Sequence, residues 1–444
     1  MDTMKTNILF ISIDSLRSDR IFGDSRSNKT PNLDKLISNG ISFTNAISGS
    51  DSTGLSLGNV FTGCYSFKTN ISLTSFNDKI PTFFEILKTN KYFLTSTYPD
   101  LSFFKHLTNN FDYNDPYIYD KRNDWIQLHG GIGQKIIDNL KLLQSHSPWF
   151  YFIHLMDLHL PFYLPDKFNQ KEFGLTRYDQ MVSYIDEWIG KFIEHVNFEN
   201  TLLVFTSDHG DYIPLIDEEN FRYMPNKFLK KMNKIIPSKL SSKVLTKLQD
   251  NKRKNFTNSL EHDDKISRSV LSRATDFLYD ESLKIPLFFH GNCLKSQPFI
   301  PNLVRQVDIF PTIMDISKIE NPLDSIDGRS LFPLFNHEQI PELPAYIENG
   351  SRKINQLGTL IGIRSSEYKF LCSRTNPSEN HFLFNLNIDP NEEKNIAKEN
   401  PILCNQMLQN ILDLQQNFSQ TSKSNFNNED EKSIEEELKK LGYL

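Results

Sequence analysis

The sequence predicts an α/β fold: a mostly parallel sheet with helices on both faces, followed by a small C-terminal subdomain. Three observations carry this expectation. The apolar runs are short and rich in β-branched and aromatic residues, as strands buried on both faces are. They alternate with segments of helical period. The first three, "NILFISID" (7–14), "PWFYFIHLMD" (148–157) and "NTLLVFTSD" (200–208), each deliver Asp or His near their carboxyl ends: Asp14, then His154 and Asp157, then Asp208 followed by His209. Ligands of open α/β sheets gather at the carboxyl ends of strands, so the three runs together point to one site.

The remaining elements follow in order. "TPNLDKLISNG" (30–40) has Pro near its start and Gly at its end, the punctuation of a helix. "SDSTGLSLGNVFTG" (50–63) sets Thr53 among small residues and closes in a turn-like Thr-Gly. "GLTRYDQMVSYIDEWIGKFIEHV" (174–196) is a long amphipathic run, and "KIPLFFHG" (284–291) is a fourth strand of the same set. Residues 226–254 are strongly basic, with Asp250 their one acid. They read as a solvated helical insertion, or else as a lid or a surface for an anionic partner. The division expected is a catalytic domain over 1–335 carrying that insertion, a subdomain over 336–415, and a polar linker with a terminal helix over 416–444. No internal repeat is visible.

Composition narrows the class. The chain has 444 residues, enough for a large core, and a formal net charge of -6, which gives no general attraction to nucleic acid. Its four cysteines are widely spaced, without a CxxC pair, so neither a disulfide framework nor a thiolate zinc site is expected. The opening apolar run is too short for a signal-peptide core, and no run is long enough for a membrane span. A cytoplasmic protein with no membrane span is the expectation.

The chemistry gathers around "FTSDHGDY" (205–212). Adjacent Asp208 and His209 at a strand end can present carboxylate and imidazole to one divalent cation, and Gly210 permits close approach. With Asp14 and Thr53 added, such a cation would lower the pKa of the threonine hydroxyl and turn a weak nucleophile into a strong one.

Motifs along nearly the whole chain resemble the sulfatase branch of the alkaline phosphatase superfamily. They are "NILFISIDSLRSDR", "TPNLDKLISNGISFTNA", "HLMDLHLPF", "FTSDHGD", "LYDESLKIPLFFHG", "VRQVDIFPTIMDI", "DGRSLFPLF", "YKFL", "LFNLNIDPNEEKNIA" and "EEELKKLGYL", in the family's order. The resemblance implies an alkaline-phosphatase/sulfatase-like sheet and a nucleophile nine residues before the Thr-Gly of the turn, which is Thr62-Gly63 here and lands on Thr53. It implies one divalent ion (Mn, Zn, Mg or Ca) held by Asp14, Thr53, Asp208 and His209. It places His159 beside the substrate as acid-base partner; His154, Ser56 and Arg273 complete the expected substrate set.

The sequence departs from the family pattern at three places. The formylglycine motif is missing, with Leu57 in place of its arginine. The second aspartate after the first strand is Ser15. The histidine expected before "LYDE" is replaced by Ala274 and Thr275. The resemblance therefore implies a metal-dependent hydrolase or transferase of phosphate or phosphonate esters acting through threonine. Sulfuric esters are the alternative substrate. A non-catalytic binding or scaffold protein of the same fold is the alternative from another class. The partner expected is an anionic ester, with a glycan or lipid headgroup as candidate source.

Overall fold

The computed structural model describes residues 5–24, 26–69, 71, 81–119, 127–159, 162–212, 277–292, 294–323, 326–350 and 360–416. The basic stretch 226–254, Arg273 and the tail beyond 416 lie outside the described residues.

An eight-stranded sheet forms the centre, in the order β4-β3-β5-β1-β6-β7-β2-β8. The strands are β1 (Asn7–Ile13), β2 (Ile41–Ile47), β3 (Phe93–Pro99), β4 (Tyr113–Tyr117), β5 (Trp149–Leu155), β6 (Thr201–Ser207), β7 (Lys284–His290) and β8 (Gln297–Arg305). β1 lies between β5 and β6, parallel to both, and all its residues are buried. Because successive side chains point to opposite faces, a strand buried at every position must be covered on both. Phe10 packs on Phe61 and Phe152, at centroid distances of 5.4 and 6.0 Å, so the helix α2 (Thr53–Thr62) covers one face. A second helical group joins α1 (Pro31–Ser38) to the helix Arg177–Ile193, where Asp186 accepts the main-chain N–H groups of Asn32 and Leu33.

One strand departs from the expected parallel set. β7 runs antiparallel to both neighbours, β6 and β2. An apolar run carries no sign of strand direction, so the sequence could not show this. The reversal puts the start of β7 on the same edge as the ends of β1, β5 and β6. There the turn Asp280–Leu283 backs onto Gly210, whose N–H donates to Ser282 O (2.9 Å). A Cβ at position 210 would lie 2.0 Å from Glu281 O, so only glycine allows the contact.

The C-terminal region forms a separate four-stranded antiparallel sheet in the order β12-β11-β10-β9, from β9 (Ala345–Glu348), β10 (Leu360–Arg364), β11 (Tyr368–Ser373) and β12 (Phe382–Asn385), with the helix Pro401–Gln416 after it. A buried ion cluster ties it to the main sheet. Lys369, wholly buried, reaches Asp280 Oδ1 (3.1 Å) and Glu392 Oε1 (2.6 Å), and Arg364 Nη2 reaches Asp280 Oδ2 (2.9 Å). β6 leads on to Tyr212, whose hydroxyl donates to Phe277 O (2.6 Å) and accepts from Tyr279 N–H (3.1 Å). Among the described residues no helix is long and apolar enough to cross a membrane.

Candidate active site

The carboxyl ends of β1 and β6 are laced together. Asp14 N–H continues the ladder to Leu155 O on β5 (2.8 Å), and the chain then turns at Ser15 with φ +62°. A residue with a Cβ enters that left-handed region at a cost of about 1–3 kcal/mol, so neighbours must hold it there. Ser15 N–H donates to Asp208 Oδ1 (3.1 Å), Tyr178 OH donates to Ser15 O (2.7 Å), and Ser15 Oγ donates to Asp14 Oδ1 (2.6 Å). Ser207 Oγ accepts Leu16 N–H (3.0 Å) and donates to Ile13 O (2.7 Å). These bonds fix both carboxylates before any substrate arrives.

Thr53 opens α2, after a loop that leaves β2. Ser48 Oγ lies 2.7–3.0 Å from Ser50 O, Asp208 O, Gln306 Oε1 and Ser56 Oγ, which binds the loop to the main chain of Asp208. Ser56 Oγ donates to Ser50 O (2.9 Å) from a wholly buried position, so this expected substrate contact instead supports the loop from beneath. From β9, Glu348 N–H donates to Gly49 O (2.9 Å), and Gly350 N–H donates to Asp51 Oδ1 (2.7 Å). The result is that Thr53 Oγ1 donates to Asp14 Oδ2 at 3.2 Å. At the far end of α2, Gly63 takes the left-handed C-cap conformation (φ +66°) and closes the helix.

Asp208, His209 and His154 complete the cluster. Asp208 Oδ1 accepts the N–H groups of Ser15 and His209, while Asp208 Oδ2 has no hydrogen-bond partner. His209 Nδ1 lies 2.6 Å from Gly210 O, which can only accept, so Nδ1 carries the hydrogen and neutral His209 offers its Nε2 lone pair. That Nε2 lacks a hydrogen-bond partner and stands 3.5 Å from Asp208 Oδ2. His154 is wholly buried rather than on a substrate-facing rim, and neither of its ring nitrogens has a hydrogen-bond partner. Asp14, His154 and Asp208 each offer a ligand atom within 4.8 Å of the others.

The electrostatics describe a site short of positive charge. Burial first, then the nearby Asp208, pushes the Asp14 carboxyl up to about 6, against the pull of His209 and His154. Burial pushes His154 down to about 4, against Asp14. His209 is raised: burial opposes its charged form, but Asp208, Asp14 and the Gly210 carbonyl together outweigh it. Buried polar atoms without partners cost about 1–3 kcal/mol each, and Asp208 Oδ2, His209 Nε2 and both nitrogens of His154 have none. The carboxylate and imidazole atoms that lie within 4.8 Å of one another are those of Asp14, His154 and Asp208, with His209 outside that group. A divalent cation there would satisfy the bare atoms of Asp208 and His154, and Asp14, Thr53 and Asp208 of the expected set fit it.

His159 lies just beyond β5. Its ring is buried, with Nδ1 2.9 Å from Tyr119 OH. Sequence reasoning missed Tyr119, as it missed Tyr178: a tyrosine distant in the chain gives no local signal of such a partner. Asp157 Oδ1 accepts Leu128 N–H (3.2 Å), Oδ2 has no hydrogen-bond partner, and burial pushes the carboxyl up to about 7. Its folded pKa thus stands above the unfolded value of 3.8, so the folded state keeps a proton that the unfolded state loses, and stability falls as pH rises between them. Asp157→Asn, which cannot ionise, is expected to be more stable than the parent at pH 8 by about 1–4 kcal/mol and to gain nothing at pH 4. Urea unfolding at both pH values checks this; an equal difference at both would refute it.

Comparison with known proteins agrees with this architecture. The Sulfatase family model matches residues 6–319, and the model "N-sulphoglucosamine sulphohydrolase, C-terminal" matches 274–422. The chain therefore belongs to the sulfatase family, a family of ester hydrolases. Arylsulfatase K of Rattus norvegicus is 30% identical over 130 residues, 28% of this chain and 23% of that protein, so the match takes in under a quarter of the relative's length. Among solved structures, the phosphonate monoester hydrolase of Agrobacterium radiobacter is 15% identical with a TM-score of 0.65, covering 93% of this chain and 96% of that one. BT1596, a 2-O GAG sulfatase, is 17% identical with a TM-score of 0.64, covering 95% of both chains.

Proposed function

We propose that the chain is a metal-dependent hydrolase or transferase of phosphate or phosphonate esters, with Thr53 as nucleophile and His159 as acid-base partner. The observation that carries this is the 3.2 Å bond from Thr53 Oγ1 to Asp14 Oδ2, at the head of α2 and beside Asp208. Asp14, Thr53, Asp208 and His209 hold the cation, which when bound lowers the pKa of the hydroxyl and offsets the charge of the anionic ester. Asp14 Oδ2 receives the Thr53 proton. Thr53 Oγ1 bonds to phosphorus as the bond to the leaving oxygen breaks, and His159 Nε2 gives that oxygen a proton. Water or an acceptor alcohol, losing a proton to His159, then attacks the phosphorus of the ester on Thr53; the Thr53 oxygen leaves and takes its proton back from Asp14.

Threonine has one hydroxyl, so its ester is resolved by attack at phosphorus or sulfur and not by collapse to an aldehyde, the route open to a hydrated formylglycine. This favours phosphorus. Sulfuric esters are the second reading, supported by the arylsulfatase K relatives and the sulphohydrolase C-terminal match.

The test is a panel of p-nitrophenyl phosphate, phosphodiester, phosphonate and sulfate with manganese, zinc, magnesium or calcium. Metal-dependent turnover greatest on a phosphorus ester is the expected result. Preference for sulfate would overturn the phosphorus reading. Silence, with no metal retained, would favour a non-catalytic binding protein.

A further inference from the structure

We infer that His154 is a direct ligand of the same cation, entering from β5, and that it turns the site toward zinc and away from calcium and magnesium. The inference rests on the cation reading above and extends it. His154 is wholly buried with both ring nitrogens lacking a hydrogen-bond partner, a placement that costs free energy unless something else satisfies it. The ring packs against Phe104 and Phe152, at centroid distances of 4.8 and 6.3 Å, so packing helps to set its position.

Its Nε2 stands 3.9 Å from Asp14 Oδ2, too far for a hydrogen bond. Two ligands each about 2.0–2.2 Å from one zinc ion lie about 3–4 Å apart, and this pair has that separation. Asp208 supplies the third ligand atom within 4.8 Å of both. Ser15, next along from Asp14, adds a hydrogen bond to Asp14 Oδ1 and no negative charge. His209 lies outside the group of Asp14, His154 and Asp208 and would have to close on the ion; the first coordination sphere would then hold two carboxylates, the imidazoles of His154 and His209, and the Thr53 hydroxyl. Imidazole suits zinc, whereas calcium and magnesium take oxygen ligands.

The experiment uses full-length protein stripped of metal and dialysed against equimolar zinc, manganese, calcium and magnesium. Metal content is measured, and X-ray absorption of the zinc form counts imidazoles around the ion. The inference expects one zinc per chain with two imidazoles. His154→Phe, which keeps the apolar packing, should show one imidazole and at least about 100-fold weaker zinc binding, with calcium binding unchanged. A single imidazole in the parent protein overturns the inference even if the variant fails to fold. Equal imidazole counts and equal zinc preference in parent and variant overturn it too, while leaving the cation reading intact. A parent protein that binds none of the four metals overturns both.

Discussion

Thr53→Ala is expected to lose metal-dependent ester hydrolysis by about 10⁴-fold or more, because among the described residues no other hydroxyl bonds to Asp14 Oδ2. Thr53→Ser, which keeps the hydroxyl at the head of α2, should retain turnover within about 100-fold. The loss in Thr53→Ala should fall on kcat, since Asp14, Asp208 and His209 remain to hold the cation. Acid quenching of the parent protein during turnover should trap the transferred group on the peptide that contains Thr53, and the Ala variant should trap none. Full turnover by Thr53→Ala would end the proposal that the threonine is the nucleophile.

The largest stability effect is expected far from Thr53, at Lys369. Its wholly buried ammonium lies between Asp280 and Glu392. Burial alone would raise the Asp280 carboxyl, but Arg364, Lys369 and Lys284 hold it well below the usual carboxylate range. Burial raises Glu392 to about 7, against the pull of Lys369. Lys369→Met removes the central positive charge and leaves both acids in the interior, which should destabilise the fold by about 3–5 kcal/mol at neutral pH. Adding Glu392→Gln to that variant should recover part of the loss, because the Glu392 charge, left without Lys369, is then gone, whereas Asp280 keeps Arg364. Denaturant midpoints of the three proteins decide it; a Lys369→Met midpoint equal to the parent's would show that the cluster contributes nothing.

Much of this was legible in the residues. The runs at 7–14, 148–157, 200–208 and 284–291 became β1, β5, β6 and β7, because continuous apolar runs of that length have few alternatives inside an α/β core. Asp14, Thr53 and Asp208 come together, since strand ends and one helix start are places a sequence pattern can mark, while His209 stands beside Asp208 and outside the group of Asp14, His154 and Asp208. What stayed hidden depends on long-range geometry. The reversed direction of β7 is invisible in its composition. β4 carries "YNDPY", a segment with little strand character that pairs parallel with β3 along one edge. His154 read as a strand histidine or a substrate contact, and only the register of β1 with β5, which sets Ser12 against His154, brings its imidazole to Asp14. Tyr119 and Tyr178 hold their partners through tertiary contacts that no local spacing encodes.

Tyr212 has a meaning for how such a protein can change over evolutionary time. One phenol fastens the point where the chain departs from the sheet after β6 to the point where it comes back before β7, through Phe277 O and Tyr279 N–H. Between two points of a chain so fastened, added length is cheap, because the entropic cost of closing a loop grows only slowly with the number of its residues. The fastening stands on the same edge as Asp208 and His209, so insertions made there over time can leave the ends of β1 and β6, and the carboxylates they carry, in place.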